Sequence, residues 1–256
     1  MNSLLKLSIG NGKLERDTLV IYLPAGWTCP GASLCLSKAS RETGKVTDGP
    51  DTQFRCFAAS DERYSQAREA HWYNLDMIKA TLRTGVAKTT ALIVASIDAV
   101  RTRNTKRVRI HASGDFFSLS YLKAWIGAAR ARPDLVFYCY TKSGEHFDRI
   151  DSFPPNFRWV FSLGSKFDEL AVLRGWRTAE VVLSEKEAED KGLPIDHDDS
   201  HAYGSTQRFA LLIHGTQPSG TAAAKAIQVL RKAGEYGYGK AADKKREGKR
   251  VPLPTV

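Results

Sequence analysis

The chain has 256 residues, 42% hydrophobic and 10% aromatic, a composition that fits a folded globular protein and excludes a disordered one. One sizeable core is within reach at this length, and no run approaches the roughly 20 apolar residues of a membrane helix. The 38 Lys and Arg outnumber the 28 Asp and Glu, and the resulting charge of +10 favours DNA, RNA or another polyanionic partner.

The first segment, Met1-Asn2-Ser3-Leu4-Leu5-Lys6, has no apolar export core and no small-residue cleavage site. A cytoplasmic, reducing setting is therefore expected, in which structural disulfides do not persist. Residues 18–23 predict the first strand. Turn-prone sequence carrying Cys29, Cys35 and Cys56 follows it. Two readings of these cysteines stand: small hydrophobes buried for packing, or soft thiolate ligands to an iron–sulfur cluster or zinc. Three thiolates on a four-iron (4Fe-4S) cluster leave one iron open, whereas zinc brings no redox chemistry.

Residues 63–83 predict a long amphipathic helix, with Trp72, Leu75, Ile78 and Leu82 three or four apart. A second helix is expected over 91–100, with Gly85 marking the break. The basic run Arg101, Arg103, Lys106, Arg107 then precedes a strand over 108–112. That strand ends in His111-Ala112-Ser113-Gly114-Asp115, where Asp115 reads either as a helix cap or as a carboxylate on a ligand-binding edge. A helix over 118–130 leads to a strand over 135–140, in which Cys139 is a core residue by its surroundings. Thr141-Lys142-Ser143 closes that strand, and Ser162-Leu163-Gly164-Ser165 closes the next, over 158–163. A strand over 179–183 and a helix over 185–191 come next. The stretch 194–205, with Asp196, His197, Asp198, Asp199 and His201, reads as a polar loop or a partly disordered segment, with the donor types for a divalent metal. A strand over 209–213 closes on His214, and a helix over 221–233 precedes a basic tail carrying Lys244, Lys245 and Arg246.

Strands alternating with helices predict an α/β fold of parallel βα units. The expected form is one domain over residues 1–239, a complete or partial TIM-like barrel, with a flexible tail over 240–256. Ligands gather at the carboxyl ends of such strands, where the cysteine loop and the polar strand ends would meet.

The segments Leu23 to Ala32, His111 to Ser118, Phe137 to Ser143 and Phe209 to Pro218 resemble the phage and plasmid gene product 88 family, over roughly residues 18–240. That resemblance implies a mobile-element origin and a host-cytoplasm setting, and no particular reaction. The order of motifs is also distantly similar to the radical SAM partial barrel. There, three cysteines hold a four-iron cluster whose open iron chelates S-adenosylmethionine. The likeness implies Cys29, Cys35 and Cys56 as cluster ligands, and Ser113, Gly114, Asp115, Lys142 and Ser162 as a cofactor-binding wall. It makes Asp115, Ser113 and His111 the candidate catalytic set. The cysteine spacing departs from that family, with five residues between the first pair and 20 between the second. Two functions follow: a radical-SAM-like enzyme acting on nucleic acid or another macromolecule, or a nucleic-acid- or protein-binding factor with a structural or redox-sensing cluster. In either, Arg101, Arg103, Lys106, Arg107, Lys244, Lys245 and Arg246 are the expected phosphate contacts.

Overall fold

The computed structural model describes residues 3–10 and 14–234. The basic tail over 240–256, with Lys244, Lys245 and Arg246, lies outside the described residues, as does the expected domain boundary at 239. A seven-stranded sheet organises the fold, in the order β1 (Leu7–Ile9), β2 (Thr18–Tyr22), β5 (Arg107–Ser113), β6 (Val136–Thr141), β7 (Phe157–Ser162), β8 (Thr178–Val182) and β9 (Arg208–Leu212). Only β1 is antiparallel to its neighbour; the other pairs are parallel. A hairpin of β3 (Ser37–Ala39) and β4 (Val46–Asp48) sits apart. The helices are α1 (Phe57–Asp61), α2 (Ser65–Leu82), α3 (Val86–Val100), α4 (Leu119–Ala131), α5 (Gly144–Phe147), α6 (Asp168–Leu173), α7 (Glu185–Asp190), α8 (Ser200–Tyr203) and α9 (Ala222–Ala233). None of the described helices is long and apolar enough to cross a membrane.

The parallel strands follow one another in chain order, with no reversal. Right-handed crossovers then keep their helices on one face of the sheet. The packing agrees: Leu19, Ile21, Val108, Ile110, Phe137 and Cys139 alternate along β2, β5 and β6 into a core with Leu75, Ile93, Ile97 and Trp125 from α2, α3 and α4. Cys139 is a buried core residue, as expected. The intervening positions build a second, smaller cluster on the opposite face, with Tyr138, Val160, Ala179 and Phe209. There the rings of Tyr140 and Phe209 lie 6.1 Å apart although β6 and β9 are separated by three strand intervals, about 14 Å in a flat sheet. The sheet curls toward this face.

It does not close. Among the described residues β9 pairs with β8 and otherwise makes only an isolated parallel bridge from Ala210 to Ile195, so a complete TIM-like barrel is not formed and the sheet is open and curled. Eight strands complete such a barrel, and here six parallel strands and one antiparallel edge strand are present. Loops bridge the gap at the carboxyl end instead. The Gln217 amide accepts from the Arg55 N–H at 2.7 Å and donates to the Arg55 carbonyl at 2.9 Å. Ser60 donates to the Thr216 carbonyl, and Ile227 and Leu230 of α9 pack with Ile213 and Phe54.

The 194–205 segment is a folded plug rather than a disordered loop. Asp196 and Asp199 are buried, and the Tyr140 hydroxyl donates to Asp196 at 2.9 Å. Arg109 forms an ion pair with Asp199 and stacks over the Tyr140 ring.

A cysteine-lined cleft at the strand ends

The curled face opens at its carboxyl end into a cleft of about 590 Å³. Cys29, Cys35 and Cys56 line it together with His111, Ser113, Gly114, Asp115, Lys142 and Ser162. Every described residue expected to hold a metal or cofactor, or to act in catalysis, is therefore at one place.

Each cysteine arrives on a different part of the long β2-to-α2 connection. Thr28 is held under the first turn, its hydroxyl donating to the Pro24 carbonyl at 2.8 Å, and the Gly26 N–H donates to Cys29 Sγ at 3.3 Å. The Cys35 segment is stitched to the end of β7 by the Leu34 N–H donating to the Gly164 carbonyl. Cys56 caps α1, where the N–H groups of Ala58 and Ala59 favour a negative sulfur. Gly31 is required by close approach, since a Cβ there would strike the Lys142 carbonyl. The three sulfurs are near enough to raise one another's pKa, although burial is the larger cause. Burial pushes Cys29 and Cys35 up, and Cys56 up to about 12. Lys142 opposes that rise at Cys35. Among the described residues no three His, Cys, Asp or Glu side chains close around a single metal ion, in the cleft or in the Asp196–His201 segment.

Asp115 is a buried carboxylate with both oxygens engaged. Oδ1 accepts from the Phe116 N–H at 2.7 Å and Thr141 Oγ1 at 2.8 Å, and Oδ2 accepts from the Lys142 N–H at 2.7 Å. It locks the ends of β5 and β6 together across the cleft wall, a role distinct from capping α4, which Ser118 performs. Burial raises its pKa against these hydrogen bonds. Gly114, at φ 84, lies so close to Thr28 and Leu23 that a side chain there would collide.

His111 sits in a bulge of β5, with φ 62, where Tyr22 pairs with Ser113 two residues out of register. Its Nε2 shares a hydrogen bond with the Tyr121 hydroxyl at 3.0 Å, while Nδ1 is buried without a protein partner. Burial, then the nearby Arg109, lower its pKa to about 3, so the ring is neutral. The Lys142 ammonium donates to the carbonyls of Ser162 and Leu163.

Three groups in or behind the cleft, Arg109, Glu62 and His71, were given no role there by the sequence reading. Arg109 faces the cleft, and the alternation Arg107-Val108-Arg109-Ile110 was the available sign of a strand with one polar face. His214 stacks on Phe57 at 4.5 Å at the rim. Behind the wall, Glu62 and His71 form a buried pair at 2.9 Å; nothing in their sequence spacing marks it.

The basic run is elsewhere. Arg101, Arg103, Lys106 and Arg107 lie at the amino ends of the strands, away from the cleft. Arg101 is paired with Asp134, and Arg107 with Asp17 at 2.6 Å, while Arg103 and Lys106 are exposed.

Residues 3–232 match the family described as Gene product 88, and the chain belongs to that family. It is similar to the Gene 88 protein of Mycobacterium phage L5, with 28% identity over 127 residues, 48% of this chain. The chain thus spans about half the length of that relative, 46%. No solved structure matches the chain. These findings support the gene product 88 resemblance and lend no support to the radical SAM one.

Proposed function

We propose that this chain is an iron–sulfur protein of phage or plasmid ancestry, in which Cys29, Cys35 and Cys56 hold a 4Fe-4S cluster in the cleft. One observation carries the reading: three thiols from separate loop positions converge on one cavity at the strand ends. Backbone N–H groups directed at Cys29 and Cys56, and Lys142 beside Cys35, offset part of the rise that burial imposes on the three thiols. Zinc is the weaker fit. At about 2.3 Å per Zn–S bond its sulfurs would have to stand about 3.8 Å apart, and no such closed set is present among the described residues.

When bound, the cluster would supply a one-electron redox centre with one iron free of protein ligands. The wall of Ser113, Gly114, Asp115, Lys142 and Ser162 is suited to hold a small polar cofactor beside it, and S-adenosylmethionine is the one proposed. Lys142 offers a buried positive charge for a carboxylate, and Asp115 keeps the Gly114 turn in place. The substrate proposed is nucleic acid, from the chain's charge of +10, in a cytoplasmic host setting.

Anaerobic purification followed by iron, sulfide and electron paramagnetic resonance measurement tests the cluster. A protein without iron after reconstitution, or iron retained by the triple Cys-to-Ser variant, overturns it. Incubating the reduced protein with S-adenosylmethionine and assaying 5′-deoxyadenosine tests the reaction.

A second reading is favoured by Asp115, whose oxygens are already taken by three protein donors. On that reading the cluster is structural or redox-sensing and the protein binds nucleic acid or a host or phage protein without catalysis. An intact cluster with no 5′-deoxyadenosine selects it.

A further inference from the structure

Beside the main cleft lies a side cavity of about 410 Å³, between β1, β2 and the start of α2. The two share a wall of Tyr22, Phe57, Ala58, Asp61, Ala112 and Ser113. A ligand seated in one can therefore extend into the other.

His71 lines this side cavity, and its ring is fixed by two contacts. It stacks parallel to Tyr22, with centroids 5.3 Å apart and planes 3° apart. Its Nδ1 lies 2.9 Å from Glu62 Oε1. Nε2, the remaining nitrogen, has no protein partner and is not sealed inside the protein. Glu62 is wholly buried: Oε1 accepts from the Ala25 N–H at 2.7 Å and lies 3.4 Å from Ser113 Oγ, while Oε2 has no protein partner. A carboxylate that takes the Nδ1 proton in a hydrogen bond leaves the Nε2 lone pair facing outward, the arrangement of an oriented base.

We propose that Glu62 and His71 form a second ligand-binding site, in which His71 Nε2 accepts a hydrogen bond from a hydroxyl of a polyol or ribose-bearing ligand. Glu62 is the positioning residue. A hydroxyl-bearing ligand is assigned because the polar groups around His71 include an acceptor, the Asp61 carboxylate, and the Tyr22 and Ser8 hydroxyls. Phe57, Ala67 and Ala70 give it an apolar floor. The inference does not depend on the cluster, since no cysteine lines this cavity.

The test uses the full chain, with and without iron. Nitrogen-15 NMR of the histidine rings should find the His71 proton on Nδ1 and a bare Nε2. Limited acylation with diethyl pyrocarbonate, read by peptide mass spectrometry, should modify His71 in the native protein. Glu62→Gln should scramble the tautomer and slow acylation at least tenfold, leaving the rates at the other histidines unchanged. Excess ribose should protect His71. A proton on Nε2, or a His71 that reacts only after unfolding, overturns the site; failure of ribose to protect overturns the ligand class. Both native-protein readings stand even where Glu62→Gln does not fold, and Glu62→Asp is then the variant to compare. Loss of the cluster with this site intact, or the reverse, tells the two proposals apart.

Discussion

The two faces of the sheet come from the same strands and behave as different materials. Toward the helices, β5 and β6 present Val108, Ile110, Phe137 and Cys139 to a dry core. Toward the cleft the same strands present Arg109, Tyr138 and Tyr140, tied to the buried Asp196 and Asp199. The first face is held by area removed from water and tolerates no loss of volume. The second is held by satisfied polar groups, where removing one partner costs more than the bond itself contributed. With its long helices α2, α3 and α4 on one side, the sheet leaves its other side free to become a site, and this chain fills the bottom of that side with a charged plug that carries the short α8 and leaves the top open.

The largest expected effect is on the core face. Trp125→Ala should destabilise by about 3–5 kcal/mol, because the ring is fully buried and its neighbours cannot close the cavity. On the cleft face Asp115→Ala should approach that cost, since it strands two backbone N–H groups and the Thr141 hydroxyl, at about 1–3 kcal/mol each before relaxation. Urea denaturation of both variants measures the pair. An Asp115→Ala protein as stable as the parent would show that the cleft wall is not organised by this carboxylate.

His111 sharpens the contrast through pH. Its folded pKa, about 3, lies below the ordinary value of 6.5, so the unfolded chain takes up the proton first as pH falls. The stability that this group contributes is present above pH 6.5 and is lost progressively on acidification toward pH 3. Each unit of separation is worth about 1.4 kcal/mol, so several kcal/mol are at stake. His111→Asn, which tolerates the left-handed backbone, should flatten the acid limb of the stability profile. An unchanged profile would assign the acid sensitivity to other groups.

The thiols give the next effect. Burial holds all three above the ordinary thiol range, so at neutral pH they carry protons that a metal must displace. Iron loading should therefore strengthen as pH rises, by about tenfold per pH unit for each thiol deprotonated, and should release protons measurable in weak buffer. Loading that is flat between pH 6 and pH 9 would mean that the sulfurs are not the ligands.

Much of this was legible from residues alone. The β-branched and aromatic runs placed every parallel strand within a residue or two, because central strands bury both faces and read as apolar blocks. The short edge strand Leu7–Ile9 and the β3–β4 hairpin were missed, since three residues carry too little pattern. The helix expected over 91–100 starts at Val86, its first turn hidden among Lys88, Thr89 and Thr90. Barrel closure was left open between complete and partial, because strand order is local in sequence, whereas closure depends on strand number and curvature. For the plug the reading stayed between a polar loop and a partly disordered segment, because Asp and His suggest solvent, and only the fold reveals that Arg109, Tyr138 and Tyr140 wait opposite them. Convergence of the cysteines with Ser113, Asp115 and Lys142 was readable because all follow strand ends. The Glu62–His71 pair was not, as it forms between a short helix and the face of a long one.

The smallest expected effect concerns the amino ends of the strands, where the basic run divides into two kinds of residue. Arg101 and Arg107 already hold Asp134 and Asp17, and a phosphate must compete with those carboxylates. Arg103 and Lys106 are exposed beside them on the same edge. If this edge contacts nucleic acid, removing either exposed cation should lower the slope of log affinity against log salt by about 0.9 on duplex and about 0.7 on single strands. Arg101→Ala should leave the slope nearly unchanged and lower stability by no more than about 1 kcal/mol, as for any solvent-screened pair. Titrations of labelled duplex and single-stranded DNA and RNA at two salt concentrations decide between the kinds. Equal slopes for all variants would move the nucleic-acid contact from this edge to the cleft or the tail, and a larger loss from Arg101→Ala than from Arg103→Ala would mean that its pairing with Asp134 gives way to phosphate on binding.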